Sequence, residues 1–596
     1  MPVRSETPGK LKQELFGFQI FFITLSCVIG SGIFTNNGTA LAISGSMGLM
    51  LAALVMGVVV CAVNECIAEL TQQFPVYNSI VEYVRTFVDD DLGWAIGLLY
   101  WYAYAATFSS QSAMAATILE YWGLPQAWRA LICYALIPFI LFLLNLTGVF
   151  WYGVVETVGG CLKLIMVVAI SIYLYAIAGR VPSASFQHEQ GFRQNIDAAC
   201  YAIPLTAYAF QGVELYAMTA FEARDGHALR WPSRWTVYIV VLLYIMCTLG
   251  EILNVSYTDP NLPPLNDGTL NDSGTCRPKA GVSDSMVVIA ALNTNNHHVA
   301  GFINGCLFLS VVSAANTSLY VASRTLFGIA KSVPRDYWAT RQLAILSKET
   351  RVPVVALLVT LLAFAWVPFL QLSCSRTLTH IRSVISTSSS TAIMIVWASI
   401  CVAFLRYYYW LKKYDAYLLQ SGRPEFARGS PEYAPRGSLF VLQPLQAWIG
   451  LIGCIAIFAF SSATWWDGHA TVTEVAMAYG AHIGLVIVFL GLKLCRRQRE
   501  WFKRTPDAGK LLLALNDLRV RKIDRWESTK SKRLQRVFRR NGDSSPAVQE
   551  EIPMNGHGHM NGYIHTNGHP GGLRDGAVPV ARNRPGSMES SSELSD

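Results

Sequence analysis

Two ionisable side chains stand in the middle of apolar runs, where a charge is costly. Glu214 lies in Ala207-Tyr208-Ala209-Phe210-Gln211-Gly212-Val213-Glu214-Leu215-Tyr216, and Lys163 in Gly160-Cys161-Leu162-Lys163-Leu164-Ile165. An ionised group at the centre of a membrane helix costs roughly 2.5–3.5 kcal/mol on insertion scales, so both should face protein or water rather than lipid. Glu156 comes seven residues before Lys163, two helical turns away on the same face. No nucleophile–base pair and no metal-ligand spacing accompanies these groups. An electrostatic role without bond-making fits them better than enzyme chemistry.

Two other stretches offer backbone chemistry. In Ile29-Gly30-Ser31-Gly32-Ile33-Phe34, two glycines flank a serine halfway along the first long apolar run. Glycine weakens a helix by roughly 1 kcal/mol relative to alanine, so winding should stop here. A helix that stops inside lipid leaves N–H groups without partners unless something polar meets them. The half-helix beyond the break points its positive end, with the Ser31 hydroxyl, at that gap, which suits a small carboxylate. The second break falls near Phe210–Gly212 and frees carbonyls that suit an ammonium. A carboxylate and an ammonium one carbon apart describe an α-amino acid. Taken singly, Gly-Ser-Gly also fits close packing between membrane helices. Lys163 likewise fits a structural cation held by carbonyls, or one whose ammonium takes the place of a coupling sodium ion.

These residues need long apolar elements to position them, and the composition provides them. Of 596 residues, 52% are hydrophobic and only 14% are charged, and mean hydropathy is positive. Runs of about 20 apolar residues place spans at about 16–45, 47–68, 93–122, 129–147, 153–178, 198–222, 233–255, 299–330, 352–372, 380–409, 445–465 and 474–495. Basic residues concentrate in alternate loops, including Arg85, Arg224, Arg230, Lys331, Arg335, Arg341, Lys412 and Lys413. This bias predicts twelve spans with both termini cytoplasmic, and it explains the net charge of +8 without nucleic acid. Breaks in spans one and six, the first of each five-helix unit, predict an inverted-repeat transporter.

Residues 1–14 form a short cytoplasmic N-terminus, without a signal-peptide pattern, and residues 15–495 the membrane domain. That domain comprises repeats at about 15–178 and 198–409 plus two final helices at about 445–495. Residues 496–596 are a cytoplasmic tail, basic to about 540, where anionic lipid can bind, and then Asn-, Gly-, Ser- and Pro-rich and expected to be disordered. Its histidines at 557, 559, 565 and 569 read as solvated linker or weak metal ligands, and cytoplasmic regulators are possible partners of the tail. Asn271 heads a glycosylation acceptor in the large loop 256–298, and Cys276 and Cys374 share the expected outer side, where a disulfide is possible.

The chain resembles the fungal amino-acid permeases of the amino acid–polyamine–organocation superfamily. The resemblance runs from about Leu15 to Leu494. It is carried by the two breaks, by Tyr257-Thr-Asp-Pro-Asn-Leu262, by Ser313-Ala-Ala-Asn316-Thr-Ser-Leu-Tyr320-Val-Ala-Ser-Arg324, by Arg351-Val-Pro353 and by Gln446-Ala-Trp448-Ile-Gly450. It implies an all-α membrane protein of twelve transmembrane helices, a LeuT-type 5+5 inverted repeat with helices 1 and 6 broken. It further implies proton-coupled amino-acid symport at the plasma membrane, with no cofactor beyond the proton gradient.

By position in that resemblance, Gly30, Ser31 and Gly32 match the carboxylate-binding turn, and Ile33 is a further substrate-binding candidate. Ala209 and Phe210 match the backbone that takes the amino group, with Tyr208 and Phe210 as gating or pocket aromatics. Glu214 and Lys163 match the acid of span six and the lysine of span five. The family's acid in span three appears here as Gln111, and Gln111 and Asn316 are further pocket candidates, with Ser318 near them. The inner loop after span six also departs from the family, reading Asp225-Gly-His-Ala-Leu-Arg230-Trp. The competing function class is a non-transporting amino-acid sensor of the same fold. A permease for polyamine, choline or 4-aminobutyrate is the alternative within the transporter class.

Overall fold

An apolar run in lipid can satisfy its backbone only within a helix or a closed barrel. The protein takes the helical solution. Among the described residues the only β pairing is an isolated bridge between Leu15 and Ala223. The structure, a computed structural model, describes residues 13–178, 192, 197–224, 226–262, 281, 283, 285–332, 337–372, 376–435, 437–460, 472–496 and 501–518. Of two compact units, Met1–Ser531 and Lys532–Asp596, the first holds all of these residues. Asn271, Cys276, Cys374 and the tail histidines lie outside the described residues.

The helices are α1 (Gly17–Val28), α2 (Asn37–Gln73), α3 (Ser79–Phe87), α4 (Asp90–Glu120), α5 (Gln126–Ala130), α6 (Ile137–Leu146), α7 (Val149–Ala178), α8 (Asp197–Ala209) and α9 (Leu215–Thr219). There follow α10 (Arg230–Asn254), α11 (Met286–Asn293), α12 (His297–Ser332), α13 (Trp338–Leu343), α14 (Val354–Ala363), α15 (Arg376–Lys413), α16 (Asp415–Gln420), α17 (Leu445–Phe460) and α18 (Val472–Arg496). Eight helical stretches among the described residues are long and apolar enough to cross a membrane. Val354–Leu370 and Leu445–Ala459 are apolar but shorter. Of the other predicted spans, the third falls on α4, where Trp, Tyr and Ser dilute the apolar residues, and the sixth is interrupted between α8 and α9.

Each face has a physical reason. Along α7, Glu156, Lys163, Val167 and Leu174 are buried, whereas Leu162, Ile165 and Ile172 are 60–64% exposed. A contiguous apolar face of this kind is a liability in water and an asset in lipid. α2 is two helices in one: Gly45 has φ +76° and ψ 175°, backbone that only glycine adopts at no steric cost. That bend falls between the predicted ends of spans one and two. α12 packs along α4 and α2 along α8, which brings both breaks to the centre of the bundle.

One end of the bundle is closed by paired charges. Asp89 caps α4, its Oδ1 accepting from Asp91 N and Leu92 N at 3.0 Å each, while its Oδ2 accepts from Lys493 Nζ at 2.6 Å. Arg428 donates two bonds of 2.8 Å to the Glu69 carboxylate, and the Tyr433 hydroxyl donates a third at 2.6 Å. Burial and the Glu69 charge push the Tyr433 phenol well above its usual pKa, so it keeps its proton and remains a donor. Glu222 takes Arg324 Nε at 3.1 Å and the Tyr320 hydroxyl.

Candidate functional site

α1 stops at Val28. Ile29 leaves the helical region (φ −76°, ψ 86°), and winding resumes as a short π-helix, Gly32–Asn36. α8 stops at Ala209, residues 210–214 form a turn, and Gly212 takes φ +109° before α9 begins. Both interruptions therefore fall where the glycines predicted them. The segments run in opposite senses: Leu15, before α1, bridges to Ala223, after α9, and Arg224 N donates to Leu15 O at 2.8 Å.

The two breaks are pressed together through their glycines. A methyl group on Gly32 would lie 2.6 Å from Ala209 Cα, and one on Gly212 would lie 2.7 Å from Cys27 Sγ. Each break thus needs a residue without a side chain because the other chain occupies that space. Gly30 is less confined, since a methyl there would meet Ala314 Cβ and Gln111 Nε2 at 3.1 Å, both side-chain atoms.

A helix end leaves carbonyls unmet, and three side chains from other helices take those of α1. Lys163 Nζ donates to Ser26 O at 2.6 Å, the Tyr244 hydroxyl to Val28 O at 2.7 Å, and Ser310 Oγ to Ile29 O at 2.9 Å. The Lys163 cation therefore sits at the negative end of a half-helix, where the dipole favours it. The Tyr244 hydroxyl also lies 3.1 Å from Ala209 O, so it bridges the last carbonyls of both half-helices. Tyr244 was not singled out in the sequence, because a tyrosine in an apolar span carries no mark of its partner.

Glu156 accepts from Ser26 Oγ at 2.5 Å, Ser313 Oγ at 3.1 Å and Asn316 Nδ2 at 2.6 Å. Asn316 in turn accepts from Asn145 Nδ2 at 2.7 Å. Asn316 is thus a member of the Glu156 network, not of the cavity between the breaks. Its expected place on the pocket wall belongs to Ser318, half a turn further on. Glu214 is fully buried and takes three donors: the hydroxyls of Tyr104 at 2.5 Å and Tyr100 at 3.2 Å, and Trp397 Nε1 at 3.2 Å. It stands behind the Tyr104 side chain and is not part of the cavity wall.

The cavity between the breaks is small: the space open to the centre of a water-sized sphere is about 10 Å³. Of the expected residues, Gly30, Gly32, Gln111 and Tyr208 line it. Ser31 hydrogen-bonds Tyr208 through its side chain. Ile33, Ala209 and Phe210 are buried beside the cavity without lining it, and the Phe210 ring lies 5.0 Å from that of Tyr244. Lys163 is held on the other side of α1. Cys27, Val28, Tyr104, Thr107 and Gln211 complete the wall and were missed as site residues. Gln211 had signalled itself as a glutamine in mid-span, whereas Tyr104 and Thr107 had no signal.

The arrangement provides a small polar chamber at the meeting point of two interrupted, antiparallel helices. A family profile described as amino acid permease matches residues 19–420. The chain belongs to the amino acid permease family. Its relatives include a lysine/arginine permease of Candida albicans, 25% identical over 81% of this chain and 80% of that protein. Another, described as a probable lysine/arginine permease of the same organism, is 26% identical over 81% of both chains. The lysine-specific permease of Saccharomyces cerevisiae is 27% identical over 56% of this permease and 55% of its own length. Among solved structures, an Eremococcus coleocola manganese transporter aligns with a TM-score of 0.47 at 13% identity, covering 86% of this chain and 99% of that one.

The permease is accordingly a multi-pass integral membrane protein of a family of transporters, not enzymes, whose substrates are amino acids. The bridge made by Tyr244 gives a first test. Tyr244→Phe removes one hydroxyl from between two buried carbonyls, and an unmet buried group costs about 1–3 kcal/mol. Initial uptake at limiting substrate is expected to fall about 5- to 150-fold, by the same conversion of free energy into rate. Unchanged uptake would show that the carbonyls find other donors.

Proposed function

We propose that this permease imports amino acids by proton-coupled symport, with alternating access to the chamber between the breaks. The observation that carries the reading is the reciprocal contact of the breaks, Gly32 on Ala209 and Gly212 on Cys27. In this reading the backbone N–H groups of Ser31, Gly32 and Ile33 take the substrate carboxylate, that of Gly30 being already given to Val28 O at 2.9 Å. Ala209, Phe210 and Tyr208 flank its ammonium. Glu214 and Lys163 are the groups through which protonation is coupled to the position of the broken helices. The scaffold is a LeuT-type 5+5 inverted repeat within twelve spans, placed in the plasma membrane with both termini cytoplasmic. The opposite senses of the two broken segments support it.

Moving one net charge inward gains about 2.3 kcal/mol per 100 mV, which concentrates a zwitterion against its gradient. Uptake of labelled amino acids in cells lacking their own permeases is the test. Uptake is expected to be several-fold faster at pH 5 than at pH 7 and to collapse with a protonophore. Saturable uptake indifferent to pH and protonophore would remove the coupling and leave only facilitated passage.

A further inference from the structure

The wall of the chamber carries no formal charge: no Asp, Glu, Lys, Arg or His lines it. Three of its four hydroxyls direct their protons elsewhere. Thr107 Oγ1 donates to Ala103 O at 2.8 Å, Ser318 Oγ to Ala314 O at 2.9 Å, and Tyr104 to Glu214. Each amide nitrogen spends one of its two hydrogens inside the wall, Gln211 Nε2 on Thr107 Oγ1 at 2.9 Å and Gln111 Nε2 on the Tyr208 hydroxyl at 3.3 Å. Two acceptors on the wall have no hydrogen-bond partner at all, Oε1 of Gln111 and Oε1 of Gln211, although these residues are only 4% and 6% exposed. A buried acceptor without a donor is unfavourable, so the chamber is built for cargo that brings N–H or O–H groups.

From this accounting we infer that the permease selects neutral amino acids, those with a hydrogen-bond donor in the side chain above all, over the basic and acidic ones. The inference rests on the amino-acid reading above. The α-ammonium supplies donors to one amide oxygen, and a carboxamide or hydroxyl side chain satisfies the other. A side-chain ammonium or guanidinium would be buried without a counter-charge, because the carboxylates of Glu214 and Glu156 do not line the chamber and are each already held by three donors. A side-chain carboxylate would face two acceptor oxygens. A site built to hydrogen-bond its substrate rejects analogues that leave its polar groups unpaired far better than it resolves one methylene. This selectivity separates the chain from the relatives described as lysine and lysine/arginine permeases.

Competition uptake decides the matter. Labelled glutamine or serine is offered to the wild-type permease against excess neutral, basic and acidic amino acids, and the same panel is run on Gln111→Glu and Gln211→Glu. Glutamine, asparagine, serine and threonine are expected to compete at least about tenfold better than lysine, arginine, aspartate or glutamate, within the range that pocket contacts command. At least one of the two variants should shift the ratio of arginine to glutamine uptake about tenfold toward arginine, since it places a carboxylate on the wall. Lysine or arginine carried by the wild type as well as the neutral amino acids would overturn the inference while leaving the transporter reading intact. Wild-type selectivity with no shift in either folded variant would overturn the assignment to the two glutamines. Failure of every amino acid to be carried would remove the proposed function and this inference with it.

Discussion

Gly32→Val is expected to lower amino-acid uptake by about a hundredfold or more while the protein still reaches the membrane. The reason is where the new atoms must go. Even a methyl at this position would lie 2.6 Å from Ala209 Cα and 3.0 Å from Ala209 N, and neither backbone atom can turn aside. The two breaks would have to separate, and displacement of about 1 Å in a positioned site costs on the order of 10²-fold. Gly30→Ala is the matched control, because its new methyl meets only Ala314 Cβ and the mobile end of Gln111. It should keep about a tenth or more of the activity, in line with the milder penalties of side-chain overpacking. Surface labelling beside initial-rate uptake measures both. Equal losses in the two variants would show that the contact between the breaks is not what positions the substrate.

Glu214→Leu should remove the folded protein. The carboxylate satisfies the hydroxyls of Tyr100 and Tyr104 and the indole of Trp397, all buried. Leucine leaves those three donors unmet at about 1–3 kcal/mol each, a large fraction of the 5–15 kcal/mol that holds a typical fold together. The expected result is little monodisperse protein in detergent and a sharply lower melting temperature. Glu214→Gln keeps an acceptor oxygen and the shape, so it should fold with a melting temperature within a few degrees of wild type. Having no proton to release, it should lose the acceleration of uptake at pH 5. If Glu214→Gln transports with its pH response intact, the coupling belongs to Lys163 or Glu156 and Glu214 is a purely structural acceptor.

Those two residues also mark how far the sequence could be read. Gly32 was legible because a glycine pair in an apolar run is a local statement about backbone freedom, and the break occurs where that statement puts it. The burial of Glu214 was legible for the same kind of reason, since a charge in lipid needs an enclosure. Its direction was not. Glu214 turns toward Tyr100, Tyr104 and Trp397, between 110 and 183 residues away in the chain, and so stands behind the wall it was expected to form. Asn316 was displaced from the pocket in the same way, captured by Glu156 and Asn145.

The sequence by itself determined the class of molecule, the places where two helices must stop and which charges must be enclosed. These follow from hydropathy over about 20 residues and from the backbone freedom of single glycines, both properties of contiguous chain. The tertiary structure alone decided that Gly32 meets Ala209 and Gly212 meets Cys27, that Tyr244 joins the two half-helices, and that the chamber has an uncharged wall whose two glutamines each keep an amide oxygen without a partner. A polar side chain in a bilayer has few partners within reach. Which one it finds depends on the rotation and crossing of helices far apart in sequence, and no local pattern records that.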